Sequence, residues 1–339
     1  MKKRFFLNIE EKSLINLFFF DEKIDEKTIK EIDLENLIKI SSSNLLLPLL
    51  YSKIKSKNYQ NYFPEDFIKY IREIYLINEN RNKILIKEIE LLEKELKNSN
   101  INYILLKGSY YIKNKIYSKI GERMIGDIDI LIKEQKLNRM SHVLMNMGYR
   151  TRLKYKFWKT KHTPRYINRE KIFAIEPHIE PLIYRFRRLL TCNHLFNSSK
   201  ENVKINQIKI CVYNFLINDY GNLYASFNLR TAYDLKKILN NSELDIELLN
   251  DKLIKRFLIL TNFYGISNYK INLNLTDKVF LNRHLLKRKS KLYFYFDNYI
   301  CIIIESIPKI VMQTIEFIFN KDYRNYAIEK ILKNISKKK

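Results

Sequence analysis

Glycine and proline are scarce in this chain, with six of each among 339 residues. Glycine lets a backbone turn sharply or approach a ligand closely, so its few positions are informative. Three of the six, Gly108, Gly121 and Gly126, fall within LLKGSYYIKNKIYSKIGERMIGDIDILI, residues 105–132. This concentration predicts that the stretch meets a structural or chemical requirement that the rest of the chain does not have.

Cysteine and long apolar runs are also nearly missing. The three cysteines, Cys192, Cys211 and Cys301, show no paired spacing, which argues against a disulfide framework and against a zinc module. The pattern fits a reducing compartment, and we expect a cytoplasmic protein. No run of about 18 apolar residues is present, so no membrane-spanning helix is expected. Charged residues interrupt residues 1–23, which we interpret as part of the fold rather than as a signal peptide.

Negative charge is in short supply. The chain has 62 lysines and arginines against 37 aspartates and glutamates, a net charge of +25. This balance favours anionic partners such as nucleotides, RNA or acidic lipid headgroups. Solvated lysine faces, enriched by a general bias toward Lys, Asn and Ile, explain it equally well. Hydrophobic residues make up 46% of the chain, which indicates a folded protein.

By pattern, the chain divides into a mixed centre between two helical regions. A long helix is predicted over residues 65–100, with Leu85, Ile89, Leu92 and Leu96 on one stripe. From residue 101 short β-branched runs begin, and helical patterns return toward the C-terminal part. We therefore predict an α+β protein with an N-terminal helical region, a central core and a C-terminal helical region, at residues 1–100, 101–200 and 201–339.

Strand and helix signals alternate within the centre. Pro177 lies inside one predicted strand, where a proline removes a ladder donor and indicates either an edge strand or a bulge. Gly148 ends one predicted helix. The predicted strands are residues 101–106, 127–132, 149–158 and 171–182; the predicted helices are residues 109–119, 133–148, 228–241 and 244–265.

Two carboxylates sit in the strand predicted at residues 127–132. Successive side chains of a strand alternate between faces, so Asp127 and Asp129 share one face. Like charges at that separation repel each other unless a positive charge lies between them. Mg²⁺, which takes carboxylate, phosphate and water oxygens as ligands, is the cation that this pattern predicts.

The other half of the pattern is a glycine and a serine where a predicted strand turns into a helix. Gly108 permits close approach of a phosphate, Ser109 carries a hydroxyl, and free N–H groups at a helix start favour an anion. Either motif alone is usually structural. Together, in this order and between apolar strands, they predict transfer of a phosphorus group held by a divalent cation.

These residues also carry a family resemblance. Lys107-Gly108-Ser109 followed by Asp127-Ile128-Asp129 resembles the signature of the polymerase-β-like nucleotidyltransferase superfamily. The order Leu106-Lys107-Gly108, Tyr117, Arg123 and Asp127–Leu131 resembles, more narrowly, the bacterial family called uncharacterised nucleotidyltransferase. The gap between the two motifs is longer than is usual in the superfamily but suits this family. The sequence retains Arg230 and Asp234 but lacks the histidines that the family carries nearby.

The resemblance implies a fold, a cofactor and a reaction. The fold would be a polymerase-β-like core, a small mixed sheet with helices, between helical flanking regions. The cofactor would be Mg²⁺, with Mn²⁺ as the alternative, and the co-substrate an NTP. The chain would move a nucleoside monophosphate to an acceptor, which could be a small molecule, a saccharide, a protein or RNA, and release pyrophosphate.

The resemblance also implies the site residues. Asp127 and Asp129 would bind the metal, and Glu176 would supply the third carboxylate, as a metal ligand or as the base that takes a proton from the acceptor. Five residues would hold the nucleotide or its charge: Lys107, Gly108, Ser109, Arg123 and His178.

Plainer interpretations of several of these residues stay open. Lys107 and Arg123 could be solvated surface cations, and His178 could be a packed histidine. We expect His162, in the basic stretch KHTPRY, to lie at the surface. Asp234 is most simply an i, i+4 ion-pair partner of Arg230.

A different class of function remains possible for the whole chain and for residues 293–339. The chain could be a non-catalytic, basic binder of nucleic acid or membrane surface on a retained nucleotidyltransferase fold, with binding that ignores Mg²⁺. Residues 293–319 are rich in apolar residues. We expect a packed helix there; the alternative is an interfacial helix on an anionic membrane.

Overall fold

The structure is a computed structural model, and it describes residues 7–20, 22, 24–151, 161–240 and 242–336. Its helices are α1 (Ile9–Phe19), α2 (Glu26–Lys30), α3 (Leu34–Ser43), α4 (Leu47–Ser56), α5 (Glu65–Asn98), α6 (Lys107–Lys113), α7 (Leu137–Asn146), α8 (Cys192–Asn197), α9 (Val203–Tyr213), α10 (Leu229–Leu239), α11 (Ile246–Asn250), α12 (Lys252–Phe263), α13 (Leu275–Lys289), α14 (Lys291–Phe319) and α15 (Lys321–Ser336). Its strands are β1 (Tyr103–Leu105), β2 (Asp127–Ile132), β3 (Arg150–Thr151), β4 (Tyr166–Ile167) and β5 (Ala174–His178).

The strands form one mixed sheet in the order β1-β2-β5-β4-β3. β2 and β5 run parallel, and the other neighbouring pairs are antiparallel. The predicted α+β class and small mixed sheet are confirmed. Of the strand predicted at residues 149–158, only β3 is seen, and residues 152–158 lie outside the described residues. β4 is two residues long, too short for a sequence pattern to reveal.

Pro177 lies in β5, which is the middle strand of the sheet, so the edge-strand interpretation is wrong. Tyr166 pairs with Ile175, and His162 forms an isolated bridge with His178. Between these two pairs, the segment 162–166 advances by four residues while β5 advances by three. This extra residue is a β-bulge. The bulge brings His162 beside His178, with ring centroids 5.2 Å apart.

Two buried apolar clusters meet along α5. The first joins α1, α3 and α4 to α9, α10 and α12. The second lies between α5 and the sheet and includes Leu85, Ile89, Leu92 and Leu96, all fully buried. The predicted stripe is confirmed. Residues of α5 belong to both clusters, and the domain boundaries at residues 100 and 200 stay a prediction.

The helix predicted at residues 109–119 begins earlier and ends earlier, as α6. Lys115 has a positive φ of 52°, and the N–H of Ile116 donates to the carbonyl of Tyr111 at 2.9 Å, which closes the helix. The fourfold isoleucine spacing does not mark one face, because Ile112 packs in the sheet cluster whereas Ile116 packs against the helical one. An irregular segment, residues 114–126, therefore leads into β2.

The segment predicted as one helix at residues 244–265 is divided into α11 and α12. The carboxylate of Asp251 accepts hydrogen bonds from the N–H groups of Leu253 and Ile254 at 3.0 and 2.9 Å. A side chain that caps a helix start in this way separates the two helices.

The helix predicted at residues 293–319 is present as α14, but the expectation that it packs is wrong. Its buried residues are Asp297, Cys301 and Glu316, and most of its large apolar side chains are exposed. No helix in the part of the chain that the structure describes is both long enough and apolar enough to cross a bilayer.

Candidate active site

The parallel pairing of β2 and β5 brings the predicted carboxylates together. Asp129 lies opposite Glu176, and Asp127 lies two residues earlier on the same face of β2. His178 follows Glu176 by two residues on β5, so it shares that face. Register between two strands thus assembles a site from residues that lie far apart in the sequence.

Asp129 is the centre of this group and is 5% exposed. Its Oδ1 lies 2.9 Å from the Nζ of Lys107 and 2.7 Å from the Nε2 of His178. The same Nε2 lies 3.2 Å from Oε2 of Glu176. His178 is fully buried and its Nε2 contacts two carboxylates at once, so its ring fixes how both are oriented.

A second cation bridges the outer carboxylates. The guanidinium of Arg165 lies 2.8 Å from Oδ2 of Asp127 and 3.2 Å from Oε1 of Glu176. His162, expected at the surface, is only partly exposed, and its Nδ1 lies 3.7 Å from Oε1 of Glu176. Both residues belong to the KHTPRY stretch, which the bulge beside β5 places at the site.

The three carboxylates differ in acidity. Burial opposes ionisation of Asp129, but the hydrogen bond from His178 and the charge of Lys107 outweigh it and hold the pKa of Asp129 well below its usual range. Against the same opposition from burial, the hydrogen bond from His178 lowers the pKa of Glu176 to about 2. Burial and the charge of Asp129 raise the pKa of Asp127. Asp129 and Glu176 are therefore anions at neutral pH.

Gly108 and Ser109, predicted as a turn before a helix, lie in the first turn of α6, which contacts the same strand. Ser109 is fully buried, and its Oγ accepts the N–H of Asp129 at 3.2 Å and donates to the carbonyl of Asp127 at 3.4 Å. A Cβ on Gly108 would lie 3.0 Å from the side chain of Ile125. In this arrangement the turn positions β2, and its hydroxyl is engaged with the backbone rather than free for a phosphate.

Two asparagine side chains of α5 hydrogen-bond to the backbone of the irregular segment 114–126. The amide of Asn78 donates to the carbonyls of Gly121 and Arg123 at 2.8 and 3.1 Å. The amide of Asn82 donates to the carbonyls of Ile120 and Arg123 at 2.6 and 2.9 Å. Backbone carbonyls that make no helix or strand hydrogen bond thus obtain side-chain partners inside the protein. These hydrogen bonds fix the backbone that leads into β2 and Asp127.

Arg123 makes a buried, two-point ion pair with Asp234. Its Nε and Nη2 lie 2.8 and 2.9 Å from the two carboxylate oxygens, and the hydroxyl of Tyr117 also donates to Asp234. Asp234 was expected to pair with Arg230, and that expectation is wrong. Arg123 also lines a cavity next to Lys107 and Asp127, but its charge is balanced by Asp234.

Gly121 gives a stability prediction within this segment. A Cβ there would lie 2.6 and 2.7 Å from ring carbons of Tyr75, so Gly121→Ala is expected to lower the free energy of unfolding by about 1–3 kcal/mol through overpacking. Gly126→Ala is the matched control, because its Cβ would meet nothing within 4 Å. Urea denaturation of both variants measures the difference, and equal stabilities would contradict the packing around Gly121.

A cavity of about 580 Å³ opens beside the carboxylates. Its lining includes the apolar side chains of Leu45, Ile74 and Ile77 and the cations Lys107 and Arg230. Pockets that bind small molecules combine apolar walls with a few placed polar groups in this way, at about this volume. The remaining lining residues are Asn78, Arg81, Gly108, Arg123, Met124, Ile125, Gly126, Asp127, Asp129, Asn214 and Asp219.

Arg230 and Lys161 are cations without a close carboxylate. Among the described residues, no acidic group lies within salt-bridge distance of either one. Burial and the charge of Arg123 lower the pKa of Arg230, and burial and the charge of Lys107 lower the pKa of Lys161. Arg230 and Lys107 line the cavity, and positive charge there favours an anionic ligand.

Sequence reasoning missed Lys161, Arg165, Asp219 and the cavity position of Arg230. Arg165 and Lys161 had only a basic stretch to mark them. Asp219 follows a π-helical turn at Asn214–Asn218, a feature that often accompanies functional sites but has no sequence signature.

The donor set suits a divalent cation. Ligand atoms of Asp129, Glu176 and His178 lie within 4.8 Å of one another, and Asp127 adds a fourth group on the same face. Carboxylate oxygens are the ligands that Mg²⁺ and Mn²⁺ prefer. Lys107 and Arg165 supply the positive charge between the carboxylates, and a divalent cation would compete with them for the same oxygens.

Comparison with known proteins identifies the family. No curated protein and no solved structure matches the chain. The sequence profile of the family described as "Uncharacterised nucleotidyltransferase" matches residues 30–266, which are 237 of the 339 residues. The match takes in the glycine-serine turn, β2, β5 and α10, and the resemblance drawn from the sequence is confirmed. The chain belongs to this nucleotidyltransferase family and is a transferase.

Proposed function

We propose that the protein transfers a nucleoside monophosphate from an NTP to an acceptor hydroxyl, amine or phosphate and releases pyrophosphate, with Mg²⁺ or Mn²⁺ as cofactor. In this reaction the acceptor forms a bond to the α-phosphorus as the bond between the α-phosphorus and its bridging oxygen to the β-phosphorus breaks. A hydroxyl or amine acceptor loses its proton to solvent, whereas an ionised phosphate acceptor has none to lose.

One observation carries this proposal: the register of β2 and β5, which sets Asp129 opposite Glu176 beside a cavity large enough for a nucleotide. Neighbouring carboxylates repel each other, and a fold that keeps two of them nearly buried on adjacent strands is typical of a functional site. Binding of a divalent cation and its phosphate ligands is that use in a nucleotidyltransferase.

Asp127, Asp129 and Glu176 would hold the cation, which supplies charge neutralisation to the phosphates when bound. We assign Glu176 to cation binding, because it lies opposite Asp129 and its carboxylate clusters with ligand atoms of Asp129 and His178. His178 acts as a positioning residue, since it is fully buried and holds Asp129 and Glu176 in place.

Lys107, Arg230 and Lys161 would neutralise the triphosphate. Arg230 replaces Arg123 in the role that the sequence indicated, because Asp234 already balances the charge of Arg123. Gly108 lines the cavity beside Lys107, so the backbone there stays within reach of a phosphate. The apolar lining residues Leu45, Ile74 and Ile77 suit a nucleobase or ribose.

Thermal-shift measurements with each of the four NTPs, with and without Mg²⁺ or Mn²⁺, test the proposal. A ligand that binds the native state stabilises it by about 2.7 kcal/mol when its free concentration is 100 times its Kd. We expect at least one NTP to raise the melting temperature only when a divalent cation is present.

Two variants make the test specific. Asp127→Asn should abolish the cation-dependent shift, whereas Asp245→Asn, which changes an exposed aspartate whose side chain makes no capping hydrogen bond, should leave it intact. If no NTP stabilises the protein with either cation, the proposal is wrong. Salt-sensitive binding of nucleic acid that ignores both Mg²⁺ and Asp127→Asn would instead support a non-catalytic binder.

A further inference from the structure

The strongest feature outside the active site is the outer surface of α14. Leu292, Tyr295 and Phe319 are 82%, 69% and 81% exposed. Soluble proteins rarely leave large contiguous apolar patches uncovered, so a helix with this many exposed apolar side chains is unusual. The other large apolar side chains exposed on α14 are Phe294, Phe296, Tyr299, Ile300, Ile302, Ile303, Ile304, Ile307, Ile310, Val311, Phe317 and Ile318.

Polar contacts fix α14 with this surface outward. Asp297 faces α13, where its carboxylate lies 2.9 Å from Nη2 of Arg283 and 3.1 Å from Nζ of Lys287. The carboxylate of Glu305 accepts a hydrogen bond from the hydroxyl of Tyr224 at 2.9 Å. The inward side of the helix is therefore its charged side, and rotation of the helix to bury the apolar residues would break these partly buried contacts.

Charge around α14 is strongly positive. Residues 287–291, which precede or begin the helix, read KRKSK; within them Lys287 pairs with Asp297 and Arg288 pairs with Glu11. Residues 321–339 contain seven lysines and arginines against two acidic residues. Between Leu292 and Pro308 the only charged residues are Asp297 and Glu305, both on the inward side, and Lys309, which follows, pairs with Glu305. The outward surface from Leu292 to Pro308 is thus uncharged and lies between two basic segments.

We propose that α14 docks on the surface of an anionic lipid bilayer, lying in the interface with its apolar side chains among the headgroups. The pattern fits such a helix: large aromatic and aliphatic residues on one surface, with lysines and arginines that contact acidic lipids beside it. A second copy of this chain is the poorer occupant, because two proteins of net charge +25 repel each other whereas an anionic bilayer attracts both basic segments.

Co-sedimentation of the full chain with vesicles tests this docking. We expect binding to vesicles of equal parts phosphatidylglycerol and phosphatidylcholine that is about tenfold tighter than binding to phosphatidylcholine alone, and that weakens as salt is raised. Ile303→Glu together with Ile307→Glu should weaken binding to the anionic vesicles by about tenfold or more, since each places a charge on the docking surface.

A matched double variant controls for added negative charge. Ile246→Glu together with Leu275→Glu changes two side chains that are each 77% exposed on other helices, and it should bind as the unchanged protein does. No binding to anionic vesicles, or equal loss in both double variants, overturns the proposal. So does concentration-dependent dimerisation in sedimentation velocity that only the Ile303/Ile307 variant abolishes, because a second copy would then cover the surface.

Discussion

Asp129→Asn is expected to lower the rate of nucleotidyl transfer by about 10³-fold while the chain remains folded. The substitution keeps the shape of the side chain and one oxygen acceptor but removes the negative charge between Lys107 and His178. Charge stabilisation by a bound cation contributes several kcal/mol to such reactions, and about 1.4 kcal/mol corresponds to a factor of ten in rate. The initial rate of label transfer from an NTP labelled at the α-phosphate measures the effect.

Two controls separate chemistry from folding in this experiment. The melting temperature and circular dichroism of Asp129→Asn report whether the sheet is intact, and Asp245→Asn reports the effect of losing an exposed aspartate. Glu176→Gln should show a loss of similar size, because its carboxylate lies opposite Asp129 and shares the contact with His178. Label transfer at the unchanged rate in a folded Asp129→Asn protein would contradict the assignment of the site.

Arg123→Met is expected to lower the free energy of unfolding by about 3–5 kcal/mol, because it leaves Asp234 buried without its partner charge. The pair is nearly shielded from solvent, with side chains 10% and 6% exposed, and the guanidinium makes two hydrogen bonds to the carboxylate. When Arg123 is removed, the desolvation penalty of the buried Asp234 carboxylate is no longer offset by a partner charge, and the folded state is destabilised. Urea denaturation, followed by circular dichroism, measures the loss.

The matching double variant distinguishes a coupled pair from two independent contacts. Arg123→Met with Asp234→Leu removes both charges and should be less destabilising than the sum of the two single variants. Strict additivity would show that the two side chains do not interact as described. Tyr117, which donates a hydrogen bond to Asp234, is left without that acceptor in the double variant, so some loss of stability is expected to remain.

Local sequence patterns were sufficient for the elements that assemble the site. The apolar stripe of α5 and the β-branched run of β2 follow from side-chain periodicity, which depends only on neighbouring residues. The family resemblance pointed to Glu176 in the strand next to β2, and the register confirms that Asp129 and Glu176 are neighbours. The assignment of chemical roles to these residues stays a prediction that the variants above test.

Long-range pairing was beyond reach from one sequence. Arg123 and Asp234 are 111 residues apart, and nothing in the composition of either neighbourhood selects the other as partner. The i, i+4 spacing of Arg230 and Asp234 suggested a local pair instead. The buried carboxylate of Asp234 pairs with Arg123, which donates hydrogen bonds to both of its oxygens. Exposure of α14 was missed for a related reason: an apolar helix that packs inside a protein and one that faces outward have similar sequences.

The parallel pairing of β2 and β5 has a consequence for how the protein is made. Parallel neighbouring strands require a long crossover connection between them. Asp129 on β2 and His178 on β5, whose side chains contact each other, are therefore 49 residues apart in the sequence. A nascent chain on the ribosome exposes its first acidic strand well before the second one has been synthesised. The three carboxylates proposed to hold a divalent cation therefore come together only after β5 has been synthesised and has joined the sheet.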